Sequence, residues 1–241
     1  MNNEKTEIIV YGTSKQLKKV NIQSISVGGA QVNRVDSVRD LGVWMESNLS
    51  LDLHIRKKCQ TAHHQLRNLS NIRNHLSNKS AEILVHELVL SHLDFCNGLF
   101  VDIPTYQLKR LQRIQNRSAR IVTRTPYDRP ILPVLKSLHW LPVQARIMFK
   151  IIVTVYKCLN GTSPDYLRSM LIAEQPSYSL RSTQGIMLKI PRMRTKLAER
   201  SFAFNGPKLW NALPAHMKDI QEEAVFRRQL KTFLFRQFYS E

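Results

Sequence analysis

The sequence predicts an α+β fold that is mainly α: a short N-terminal β-hairpin region, a helical bundle, and an irregular C-terminal part ending in a helix. Three observations carry this. The first 46 residues are β-branched runs around a Gly-Gly pair, the apolar spacing turns helical from Asn48, and Glu222–Tyr239 is amphipathic. The implied divisions are a β region at 1–48, a helical domain at 49–172 and a basic C-terminal segment at 173–241.

The elements follow in order. Thr6–Tyr11 is a β-branched run stopped by Gly12. Ser24–Val27 and Ala30–Val35 flank Gly28-Gly29, a pair suited to a two-residue hairpin turn, and Val38–Met45 can add one more strand. So few short strands make too little sheet to stand alone. Ser50 can cap a first helix with Leu51, Ile55, Cys59, Ala62, Leu66 and Leu69 on its apolar face. A second helix starts near Ser80 and runs towards Phe100. Pro104 fits the first turn of a third. Pro126, Pro130 and Pro133 then break the chain. Val143–Leu159 is a long apolar helix ended by Asn160-Gly161. Residues 176–215 read as irregular, with a strand candidate at Ile186–Ile190, before the last helix.

Charge separates these parts. The chain carries +18, yet residues 1–50 hold six Lys/Arg against five Asp/Glu, leaving thirty against thirteen for the rest. Between Asp102 and Asp128 there is no acid, but Lys109, Arg110, Arg113, Arg117, Arg120 and Arg124 fall there. Positions 109, 113, 117, 120 and 124 lie within roughly 80° of a helix circumference. Leu108, Leu111, Ile114, Ser118, Ile121 and Val122 occupy the other side. Such a helix docks by its apolar face and offers water a row of cations suited to a polyphosphate. An ordinary solvated basic face is the alternative, and the missing counter-charges favour nucleic acid. Arg192, Arg194 and Lys196, with Lys189 and Arg200, add a basic loop.

The remaining chemistry is sparse. Cys59, Cys96 and Cys158 are odd in number and far apart, which argues for a reducing compartment. The polar start has no signal-peptide core, and Ile147–Leu159 is too short to span a bilayer and is interrupted by Lys150 and Lys157. An intracellular, soluble protein without a membrane partner is expected. His92/Cys96 and Cys59/His63 stand four apart, but each pair gives two ligands where structural zinc needs four. No nucleophile elbow or phosphate-cradling glycine loop occurs, and Asp36, Asp40 and Glu46 are isolated. Trp44, Trp140, Trp210, Phe202, Phe204 and Tyr239 are candidates for stacking on bases, although anchoring the core is the plainer role.

Several segments resemble, in order, the region after the palm of LINE-type (non-LTR) retrotransposon reverse transcriptases. They are Leu41-Gly42-Val43, Ser47 to Ser50 with His54-Ile55, Ser91 to Asn97, Arg110 to Asn116 and Leu135 to Val143. Arg146, Lys150, Tyr156, Arg181-Ser182 and Phe202 to Pro214 continue the likeness. Asn2-Asn3-Glu4-Lys5-Thr6-Glu7 matches an element just after the family's catalytic strands. The resemblance implies a palm tail, then a thumb-like helical domain that grips RNA or an RNA/DNA duplex. It also implies that the metal-binding aspartates lie upstream of Met1. No cofactor is then expected in this chain, and Mg only together with the palm and fingers. The expected function is a non-catalytic, nucleic-acid-binding fragment. The alternatives are part of a complete RNA-directed DNA polymerase or a domesticated protein-interaction module.

Overall fold

The computed structural model describes residues 6–174 and 186–239. The segments at Asn2–Lys5 and Arg181-Ser182 that contribute to the resemblance lie outside them. The chain is α+β and mainly α, and it divides into two compact units, Met1–His64 and Gln65–Glu241.

In the first unit, β1 (Ile8–Ile9) pairs in parallel with β3 (Ala30–Val35), which pairs antiparallel with β2 (Ser24–Val27). A single turn, α1 (Ser14–Leu17), carries a Thr13 capping box between β1 and β2. Gly28 (φ 59°) and Gly29 (φ 83°) form the β2–β3 turn; two successive left-handed residues match the twist of paired strands. The stretch expected as one further strand is instead a second hairpin, β4 (Ser37–Asp40) with β5 (Val43–Glu46). Leu41 (φ 44°) and Gly42 (φ 86°) turn it. A leucine in the left-handed region hides this turn from a reading that looks for Asn, Asp or Gly at both positions. Thr6–Tyr11 shortens to the two residues of β1.

Helix α2 (Asp52–Ile72) begins where expected. The Asp52 amide donates to Ser50 Oγ, while Glu46 accepts from the Ser50 hydroxyl (2.7 Å) and the Leu53 amide (3.0 Å). His54 Nδ1 accepts the Trp44 backbone N–H at 3.3 Å. Burial, and secondarily Lys58, lower its pKa to about 4. The unfolded chain, with an ordinary histidine near 6.5, takes up the proton first. Stability is therefore lost as pH falls from about 6.5 through 4, by up to about 3 kcal/mol. Denaturant unfolding at pH 7 and pH 4 should register this loss, and His54→Gln should flatten it. An equal drop in that variant would assign the acid sensitivity to other groups.

The second unit is helical. Ser77 caps α3 (Asn78–Val85), accepting from the Ser80 amide at 3.0 Å. The run passes through a π turn, His86–Leu90, into α4 (Ser91–Asp94), then a 3₁₀ turn at Asn97–Phe100. Pro104 precedes α5 (Thr105–Thr123). The proline-broken stretch contains a short α6 (Leu132–Ser137), because Pro133 falls in its first turn, where no amide donor is needed. Helix α7 (Val143–Leu159) is central and ends at Asn160 and Gly161 (φ 71°). A short α8 (Asp165–Arg168) follows.

The described residues from 186 onward fall in the same compact unit as the helices before them. Trp210, Met217, Phe226, Leu230 and Leu234 share one core with Ile152, Val155 and Tyr156 of α7. The stretch expected to be irregular, 176–215, holds α9 (Phe202–Asn211), and α10 (Ala215–Lys218) follows it before α11 (Glu223–Tyr239). Gly206 and Pro207 disguise α9, yet the glycine serves packing: a Cβ there would meet Val155 Cγ2 at 3.1 Å. The strand candidate at Ile186–Ile190 reduces to one bridge, Ala173 with Leu188.

Candidate nucleic-acid interface

Helix α5 is amphipathic as its spacing dictates. Leu111, Ile114, Ser118 and Val122 are buried, and Leu108 and Ile121 are half-buried. Two glutamines on its inner side bind it to the segment before α7. Gln115, wholly buried, donates to the Leu141 carbonyl at 2.7 Å, and Gln112 accepts the Val143 amide at 2.9 Å. These bonds satisfy the open amide at the start of α7 and fix the rotation of α5 about its axis. The outward direction of its cations follows.

Those cations are not equivalent. Lys109, Arg110 and Arg113 are exposed, and Arg117 is half-buried. Arg120 is turned back on the loop that follows the helix. It donates to the carbonyls of Pro126 and of Arg129 (2.7 Å) and lies over the Tyr127 ring, 5.4 Å from its centroid. Arg124, left-handed at φ 58°, ends the helix and donates to the Arg73 carbonyl at 3.2 Å. Two members of the expected row are thus engaged with backbone, Arg124 while remaining exposed, and the other exposed cations, Lys109, Arg110 and Arg113, lie in the first half of α5. A residue four places on shares a face, but sequence spacing says nothing about a nearby carbonyl that captures its guanidinium.

The far end of α5 is held by a residue that sequence reading missed. Arg73 is buried and donates to the Ile121 and Val122 carbonyls at 2.7 Å each, to Leu76 O at 2.6 Å and to Asn78 Oδ1 at 2.5 Å. It meets the carbonyls that a helix end leaves open, at the negative pole of its dipole. Burial, and then neighbouring Arg124, push this guanidinium below its usual range. Nothing local in the sequence marks one arginine among many as buried.

Arg192, Arg194 and Lys196 are exposed on the segment before the turn Ala198–Arg200. Arg200 is half-buried; burial lowers its pKa and the field of Asp102, two residues before Pro104, opposes that. The base-stacking candidates serve as anchors where their contacts are defined. Trp140 Nε1 donates to Glu82 at 3.2 Å, Trp210 Nε1 to the Ile186 carbonyl at 2.8 Å, and Tyr239 OH to the Trp140 carbonyl at 2.6 Å.

Several polar and aromatic contacts converge around Trp140. Asp94 forms a two-pronged pair with Arg146, with Nε donating to Oδ1 at 2.8 Å and Nη2 to Oδ2. Gln112, Gln115, Leu141 and Val143 join there, and His86 meets the Trp140 ring edge-on at 5.2 Å. Among the described residues, no three of His, Cys, Asp and Glu are grouped to hold a metal. Of the carboxylates in the first unit, Glu46 accepts the Ser50 hydroxyl and the Leu53 amide at the start of α2. No described helix is long and apolar enough to cross a membrane. Searches against protein-family models, curated proteins and solved structures return no match to this chain.

Proposed function

We propose that this chain is a non-catalytic, thumb-like part of a LINE-type reverse transcriptase and that it holds RNA or an RNA/DNA duplex against the outer face of α5. The observation that supports this best is the exposed set Lys109, Arg110 and Arg113, on a helix clamped by Gln112, Gln115 and Arg73. None of the three has an acid partner among the described residues, so no ion pair must break before they meet phosphate. Contacts of this kind recognise an A-form or hybrid duplex by its backbone, tolerate any sequence, and weaken with salt.

The test is the dependence of binding on salt. The triple variant Lys109→Gln, Arg110→Gln, Arg113→Gln should lower the slope of log K against log salt by roughly 2 to 3. Arg120→Gln should leave the slope nearly unchanged, since its guanidinium is held by Pro126 and Arg129. An unaltered slope in the triple variant would reject α5 as the contact surface. Failure of the wild-type chain to bind any nucleic acid would reject the function.

A further inference from the structure

The exposed basic segment before α9 carries a hydroxyl among its cations. Between Glu174 and Glu199 the chain has no acid, and Arg192, Arg194 and Lys196 surround Thr195. All four are exposed, and none of the three cations pairs with an acid among the described residues. Pro191 has no amide to donate and disfavours helix at Ile190, and residues 191–194 fall in no helix or strand. Thr195 closes this open stretch. Its Oγ1 accepts the Ala198 amide at 3.1 Å, at the start of the turn Ala198–Arg200.

An arginine three residues before a hydroxyl is the charge pattern that the acidic cleft of an arginine-directed Ser/Thr kinase reads. Such a cleft takes its substrate as extended chain, so the surrounding structure decides which hydroxyls qualify. Ser37, Thr61, Ser70 and Thr123 also have Arg or Lys three residues before them. Ser37 is paired in β4, and Thr61 and Ser70 lie inside α2. Thr123 ends α5, with its hydroxyl donating to the Ala119 carbonyl at 2.9 Å, and Arg120 before it is held by Pro126 and Arg129. Thr195 has Arg192 at the required place, Arg194 directly before it, and only a three-residue turn to yield.

We propose that Thr195 is a phosphorylation site for an arginine-directed Ser/Thr kinase, and that its phosphate weakens nucleic-acid binding by the chain. In the transfer, Thr195 Oγ1 bonds to the γ-phosphorus of ATP and the bond from that phosphorus to the β,γ-bridging oxygen breaks. ADP leaves with the electron pair, and the hydroxyl proton passes to the kinase's catalytic aspartate. The new group brings about two negative charges among three cations, so the segment falls from +3 to about +1. Arg192, Arg194 and Lys196 can then pair with it and are lost to the phosphates of a bound strand. Arg200, in the turn that Thr195 starts, lies in the field of Asp102, three residues before α5. The added charge therefore also repels a strand on the first half of α5, most strongly at low salt. The effect on binding rests on the nucleic-acid reading above, whereas the modification itself does not.

The full chain, incubated with ATP and the catalytic subunit of cyclic-AMP-dependent kinase, should take up close to one phosphate, located at Thr195 by tandem mass spectrometry. Thr195→Ser should keep the site and Thr195→Val should abolish it. Arg192→Gln should slow the uptake about tenfold, the worth of one charge-assisted contact. No uptake, phosphate placed elsewhere, or uptake that Thr195→Val leaves unchanged would overturn the site. The phosphorylated chain should bind an RNA/DNA duplex about tenfold more weakly than the unmodified chain at low salt, and the gap should narrow as salt rises. Equal affinity of the two forms at low salt would overturn the effect on binding. Failure of the unmodified chain to bind would reject the function proposed above and this effect with it, while uptake at Thr195 would still establish the site.

Discussion

Arg73→Met should lower the unfolding free energy by about 4 kcal/mol, as expected when one partner of a buried charged network is removed. Methionine keeps the apolar stem but strips donors from three backbone carbonyls, Leu76, Ile121 and Val122, and from Asn78. Two of those carbonyls close α5, and a buried acceptor left without a donor costs about 1–3 kcal/mol. Urea titration should show a lower midpoint at an unchanged slope. A loss under about 1 kcal/mol would mean that water replaces the guanidinium at little cost. Because Arg73 steadies the helix that carries Lys109, Arg110 and Arg113, the variant should also weaken nucleic-acid binding without altering its salt slope.

Phe226→Ala should cost about 3–5 kcal/mol, the range for removing a large aromatic ring from a core. Phe226 is wholly buried. It stacks on Tyr156 with ring centroids 4.2 Å apart and lies 6.0 Å from the Trp210 ring. Tyr156 is pinned by a 2.5 Å bond from its hydroxyl to the Gln221 carbonyl, so it has little freedom to fill the space. Phe226→Leu, which conserves more volume, should lose less than half as much. Equal losses would show that the aromatic stack, and not the volume, holds α11 to α7. A small loss in both would mean that α11 and α7 do not unfold as one unit.

The helices with strong periodicity were legible because local signals and tertiary demands agree. Ile55, Ala62, Leu66 and Leu69 are each buried on α2, with Leu51 buried just before it, and Val143–Leu159 has the limits its apolar run announces. Helix α9 was not legible, since Gly206 reads as a breaker until Val155 is known to press on it. The candidate site shows the same division. The direction of the α5 cations follows from spacing alone. Which of them stay available depends on contacts such as Arg120 with Arg129, formed between residues whose approach no periodicity describes. Arg73 was overlooked for the same reason. It is ordinary in sequence, and only the fold buries it at a helix end.

The π turn at His86–Leu90 has a consequence for changes of chain length. Ser91 N–H bonds the His86 carbonyl, so this turn holds one residue more than an α turn. Removing one residue there would restore regular helical winding and relieve the local irregularity. Because the wide turn absorbs its surplus residue, everything downstream would keep its direction about the axis, whereas a deletion in the regular turns of α3 would swing it by about 100°, the angle one residue subtends. Such a swing would part Asp94 from Arg146. The surplus residue acts as slack: a single-codon deletion inside this turn is absorbed, and the same deletion one turn earlier breaks the pair.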